Sequence, residues 1–122
     1  MKKYLILIFL FSLIACKENP IPKPENDLGV ETMIDIYYDI ALLQASENYS
    51  PSTLTKNNVM VNNYIYKKYK IDSTTFVQNQ HYYASDVKEY EKMYKKVVER
   101  IERQQAELEE FSTKKKTDSI TK

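Results

Sequence analysis

The sequence predicts an all-α protein, a small bundle of three to four helices with a long amphipathic C-terminal helix, preceded by a cleaved signal and a proline-rich tether. Three observations predict it. Beyond residue 27 the chain carries one glycine, Gly29, and one proline, Pro51, so the turn formers that a many-stranded fold requires are scarce. From Val30 onward Met33, Ile34, Ile36, Tyr37, Ile40, Ala41 and Leu43 follow a helical period of 3.6. Near the C-terminus Val87, Tyr90, Tyr94, Val97, Ile101, Gln104, Leu108 and Phe111 recur three and four apart, with charged residues between them.

The first element is a signal at residues 1–15. Lys2 and Lys3 form a short basic start, Tyr4 to Ile14 is apolar, and small residues surround the cut site. The apolar run falls short of the ~20 residues that span a bilayer. The end of the run, Leu13-Ile14-Ala15-Cys16, resembles the lipobox of bacterial lipoproteins. That resemblance implies cleavage before Cys16, diacylglycerol on its thiol and acylation, commonly by palmitate, of its amine. Two or more acyl chains give stable anchoring where one chain gives only marginal binding. A plain signal peptide containing a cysteine and an uncleaved anchor are the competing readings; a catalytic thiol would lack a positioned base.

Cys16 is the chain's one cysteine, so an acylated mature protein holds neither a disulfide nor a thiolate metal site. The formal charge is +1, and loss of Lys2 and Lys3 with the signal brings it to about −1. This argues against nucleic acid, which requires a strongly basic face. In residues 16–27 the sequence KENPIPKPEND follows the cysteine. Pro20, Pro22 and Pro24 restrict the backbone and remove amide donors. Such a stretch reads as a semi-rigid spacer reaching roughly 30–35 Å from the lipid.

The helical domain is read over residues 28–111, with its first helix from about Glu31 to Glu47. Ser50-Pro51 is a helix opening, serine as cap and proline at the first helical position. Thr55 to Asn58 is a poor helix interior, so a second helix containing Val61, Tyr64, Ile65 and Tyr69 starts between Pro51 and Val59. Asp72 or Ser73 caps a short helix bearing Phe76, Val77, Gln80 and Tyr83. Asp86 with Glu89 caps the long last helix, which should run to about Phe111. The tail, 112–122, lacks apolar periodicity and is expected to be flexible.

Few residues offer chemistry. His81 is the single histidine, which excludes a histidine-pair zinc site; as a catalytic base it would need Asp72, Asp86 or Glu89 beside it. Glu31, Asp35 and Asp39 stand at i, i+4 and i+8 on one helix edge. They form either a cation-binding row or a solvated face paired with Lys67, Lys68 or Lys70. One glycine cannot build a phosphate loop. Of eleven tyrosines, ten follow the signal. Tyr37, Tyr64, Tyr69, Tyr83, Tyr90 and Tyr94 sit where helices should meet, with hydroxyls reaching the wet rim. Tyr38, Tyr66 and Tyr82 lie off those stripes and form a candidate partner-binding surface. The C-terminal heptads could pair two copies of the chain, but packing on the domain's own helices up to Ile101 is preferred, leaving Leu108 and Phe111 over.

The segments 33-MIDIYYDIALLQA-45, 64-YIYKKYKIDSTTF-76 and 82-YYASDVKEYEKMYKKVVERI-101, in this order behind a lipobox and a proline spacer, resemble one family. It comprises small, uncharacterised lipoproteins of Bacteroidota, catalogued as a domain of unknown function (number 4296). The resemblance spans roughly Leu28 to Glu102 and implies a helical fold and an envelope location; it carries over no catalytic residue. The expectation is therefore a lipid-anchored cell-envelope protein, a non-enzymatic binding or structural module without cofactor or metal, monomeric, in the outer membrane on its periplasmic face or at the cell surface. The alternative is an envelope enzyme or enzyme accessory using His81 or the acidic row.

Overall fold

The computed structural model describes residues 21–57 and 60–120. The expected signal, Cys16 and the first part of the expected tether lie outside the described residues. Among those described there are five helices and no strand: α1 (Val30–Tyr49), α2 (Pro51–Lys56), α3 (Val61–Tyr69), α4 (Ser73–Ser85) and α5 (Val87–Ile120). The all-α class and the long C-terminal helix are as the sequence predicts.

Each boundary has a local cause. Gly29 precedes α1 at φ 79°, ψ 156°, a region essentially confined to glycine, and its carbonyl accepts the Met33 amide at 3.1 Å. Ser50 ends α1 in extended geometry, φ −145°, as the residue before a proline must, and Pro51 opens α2. The second helix of the sequence reading is two helices. α2 ends at Lys56, and Met60 is extended, φ −95° and ψ 124°, before α3 begins. The poor helix formers around Thr55 and Asn57 account for the break. Lys70 closes α3 in the left-handed conformation at φ 54°, and the Ile71 amide reaches back to the Tyr66 carbonyl at 3.0 Å. The Asp72 carboxylate accepts the Thr75 amide at 2.7 Å, which holds the acid below its ordinary range and starts α4. Asp86, the single residue between α4 and α5, accepts the amides of Lys88 and Glu89, both at 3.1 Å.

α1 is the central helix and packs against each of the other four. That position explains its burial pattern. Met33, Ile34, Ile36, Tyr37, Tyr38 and Asp39 are all buried, more than one stripe of the helix, because neighbours cover it from several sides. The core adds Ile65 from α3, Phe76 and Tyr83 from α4, and Met93 and Val97 from α5. Burying a side chain such as Met33 or Ile36 contributes about 1.5–3 kcal/mol. α5 therefore meets α1 through Tyr90, Met93, Val97 and Ile101. Met93 takes the buried place that the heptad reading gave to Tyr94, which is 53% exposed, and Val87 is exposed as well.

α5 does not stop near Phe111 but continues to Ile120. Nothing from Ser112 onward breaks a helix: there is no proline or glycine, and the hydroxyls of Ser112 and Thr113 bond to the Glu109 carbonyl at 2.9 Å. Its 34 residues make a rod about 50 Å long. Past Ile101 every residue up to Lys116 is exposed, Leu108 by 62% and Phe111 by 67%.

Candidate functional site

The stretch read as a free tether ends in a clasp on α4. Pro22 and Pro24 lack amide donors and precede a turn at residues 25–26, so the segment has no backbone ladder and its polar groups are open to capture by a side chain. Asn79, 0% exposed, captures them. Its Nδ2 donates to the Asn26 carbonyl at 2.8 Å and to the Thr75 carbonyl at 2.9 Å, while its Oδ1 accepts the Leu28 amide at 2.9 Å. Beside it the Tyr83 hydroxyl donates to Asp27 Oδ1 at 2.6 Å, the Gly29 amide donates to the same oxygen at 3.2 Å, and Lys23 pairs with Oδ2 at 2.8 Å. The Lys23 ammonium and the Tyr83 hydroxyl hold the Asp27 carboxyl below its ordinary value. Burial, reinforced by Asp27, raises Tyr83. Residues 21–28 thus form a strap, of which 21–26 line a groove with Gln78 and His81 of α4.

The acidic row is real, and it is spent on internal pairing. Glu31 meets Lys96 at 2.8 Å, Asp35 meets Arg100, and the buried Asp39 accepts Lys68 Nζ at 2.6 Å and the Tyr69 hydroxyl at 2.7 Å. Thus α5 neutralises the first two acids and α3 the third. Asp39 raises Lys68, and burial together with Asp39 raises Tyr69. Of the three lysines expected as partners, Lys68 is the one that bonds to the row. Among the described residues no group of three or more His, Cys, Asp or Glu could hold a metal ion.

The three tyrosines expected at a partner surface differ in exposure: Tyr38 is buried, while Tyr66 and Tyr82 are half-buried. Tyr38 is 6% exposed, and the Arg100 guanidinium lies over its ring at 4.0 Å. It is off the main stripe of α1, yet α5 covers that side too. Tyr66 is half-buried against Phe76, with ring centres 6.2 Å apart. Tyr82 is half-buried with its ring edge-on to Tyr83 at 5.1 Å. Conversely Tyr64 and Tyr94, expected at helix interfaces, are exposed, whereas Tyr37 and Tyr83 are buried as expected.

His81 is exposed in the groove beside the strap. Asp72, Asp86 and Glu89, the carboxylates that could have served it, instead bond to the Thr75 amide, to the Lys88 and Glu89 amides, and to Lys92. The residue missed by sequence reasoning is Asn79. Its signal was there: an amide at the i+3 position between Phe76 and Tyr83, in the middle of the apolar stripe of α4.

No described helix is long and apolar enough to cross a membrane. No curated protein and no solved structure shows significant similarity to the chain. One family model does match, over residues 24–107. The match begins inside the strap, before the Asn79 clasp, and ends on α5 after its contact with α1 is complete. The chain belongs to the family described as Domain of unknown function (DUF4296).

Proposed function

We propose that the mature protein is a lipid-anchored, non-enzymatic binding or structural module of the bacterial cell envelope, held in the outer membrane by acyl chains on Cys16. The observation that carries the reading is the sequence around the cysteine, LIAC behind a basic start and an apolar run. The fate of the chemistry-bearing residues supports the second half. Each acid of the row neutralises a cation of a neighbouring helix, and the carboxylates that could orient His81 cap helices or pair with lysine. The arrangement that these residues build is a helical bundle tied by ion pairs and caps. On this reading the membrane is the first partner, through lipid, and the domain is a monomer that presents a surface to an envelope protein.

The test is metabolic labelling with an alkyne fatty acid in cells producing the full chain, followed by fractionation. The wild type should carry label and sediment with membranes, while Cys16→Ser should carry none and leave the membrane fraction. Label retained by Cys16→Ser would sink the anchor. His81→Ala should leave the cellular phenotype unchanged; its loss would favour an enzyme.

A further inference from the structure

The clasp has a geometric consequence for an anchored chain. Free from Cys16 to Leu28, the linker could let the domain stand up to ~40 Å from the lipid, given at most 3.3–3.6 Å per residue. Residues 21–26 instead line a groove with Gln78 and His81 of α4, and Asn79 and Tyr83 hold Asn26, Asp27 and Leu28 in place. Only the steps from Cys16 to Ile21 remain, and whatever their conformation they span at most ~18 Å. This is under two helix diameters, too little for the domain to turn its strap away from the surface that holds it. Gln78 and His81 share the groove with Ile21 and Pro22, so they are kept within the same distance.

The start of α5 belongs to the same end of the molecule. Lys23 and Asp27 of the strap line a second groove with Val30, Tyr82, Asp86 and Glu89. From there α5 carries its exposed extension away: Glu110 lies roughly 35 Å along the axis from Val87.

We propose, resting on the anchor reading above, that the end of the bundle built from the strap, α4 and the start of α5 docks against the lipid headgroup layer, with Gln78 and His81 facing it. The occupant of the groove beside Ile21 is then the membrane surface itself. The α5 extension, with Leu108 and Phe111, is held at the opposite end.

The experiment uses the lipidated full chain, reconstituted into phosphatidylethanolamine–phosphatidylglycerol vesicles that carry a headgroup-linked energy acceptor. Acylation of Cys16 removes its thiol, so a donor can be placed at Gln78→Cys or at Glu110→Cys alone. The intact mass reports the lipid. Transfer from Gln78 should exceed transfer from Glu110 by at least about twofold, because Glu110 lies roughly 35 Å along α5 from Val87 at the docked end. A flexible insertion of about ten residues after Glu18 leaves the clasp untouched and adds roughly 17 Å of reach. It should lower transfer from Gln78 toward the Glu110 value. Equal transfer from both positions on a protein whose mass shows the lipid overturns the docked face and leaves the anchor standing. A mass without lipid overturns the anchor, and the docked face with it.

Discussion

Two clusters of the same composition hold different parts of this bundle. In one, Asp27 accepts from Tyr83 at 2.6 Å and pairs with Lys23 at 2.8 Å; in the other, Asp39 accepts from Tyr69 at 2.7 Å and pairs with Lys68 at 2.6 Å. The first ties an irregular strap to α4. The second ties two regular helices, α1 and α3, that also pack on each other and contribute Ile36 and Ile65 to the same apolar core. The difference lies in what supports each cluster. Asp39 sits in the middle of α1, whose backbone is already bonded to itself, so its carboxylate has only side chains to serve. Asp27 belongs to a segment without a backbone ladder, and Asn79 must supply the partners that regular structure would otherwise provide. Here the irregular segment is held to its helix by a buried amide, while the helix pair is not.

The sharpest way to break this contrast is Asn79→Ala. It removes all three amide bonds, strands the Asn26 carbonyl and the Leu28 amide, and leaves a hole in a fully buried site. A loss of about 2–4 kcal/mol in urea unfolding is expected. Limited proteolysis should then cut between Ile21 and Leu28 before it cuts the helices. If cleavage there is no faster than in the wild type, the strap is held by something other than Asn79.

The next test compares the two aspartates directly. Asp39→Asn should cost about 2 kcal/mol and Asp27→Asn about 1 kcal/mol, since both lose a charge-assisted pair but Asp27 and its lysine are the more exposed. Acid should act on Asp27 in a defined direction. Its carboxyl is held below the ordinary value of 3.8, so its contribution is fully present above pH ~4 and is lost as pH falls through the depressed value. Urea midpoints measured from pH 6 to 2 should therefore fall less steeply for Asp27→Asn than for the wild type. Parallel curves would show that the Lys23–Tyr83 environment does not stabilise the charge.

How much of this was legible beforehand follows from the range of each interaction. The caps at Asp72 and Asp86 and the boundary at Ser50-Pro51 were readable, because each is decided within four residues. So was the seam through Tyr90, Val97 and Ile101, because one face of a long helix repeats it, although Met93 and not Tyr94 fills the place between them. The burial of Tyr38 was not. Periodicity marks one stripe of α1, and only the assembled bundle shows that Arg100 of α5 lies over the next one. The amide of Asn79 within the apolar stripe of α4 marked a buried polar residue, but its partners were not readable, since Asn26 and Leu28 lie more than fifty residues away. The run from Ser112 to Ile120 misled in the opposite sense. Lack of an apolar stripe removes the reason for a helix to pack, but it does not stop an established helix from continuing.

Tyr37 isolates what burial does to a tyrosine that has no aspartate. Its ring packs edge-on against Tyr90, with centres 6.0 Å apart and planes at 84°, and its hydroxyl is buried without a hydrogen-bond partner. Burial pushes it up to about 12. Tyr69 and Tyr83 are raised by burial as well, but each also donates a hydrogen bond to a carboxylate. The sign is common to all three. A raised folded-state value means that stability is complete below pH ~10 and is lost as pH climbs, because the unfolded chain ionises first. For Tyr37 the span from 10 to about 12 corresponds to roughly 2–3 kcal/mol. Tyr37→Phe keeps the ring and removes the unpartnered hydroxyl, so at pH 7 it should be neutral or stabilising by up to about 1 kcal/mol. The alkaline loss should shrink in the same variant. By contrast Tyr83→Phe should weaken the fold already at pH 7, because it takes a hydrogen bond from Asp27. Thermal midpoints at pH 7 and pH 11 decide the matter. A Tyr37→Phe protein destabilised at pH 7 as much as Tyr83→Phe would mean that the Tyr37 hydroxyl has a partner after all.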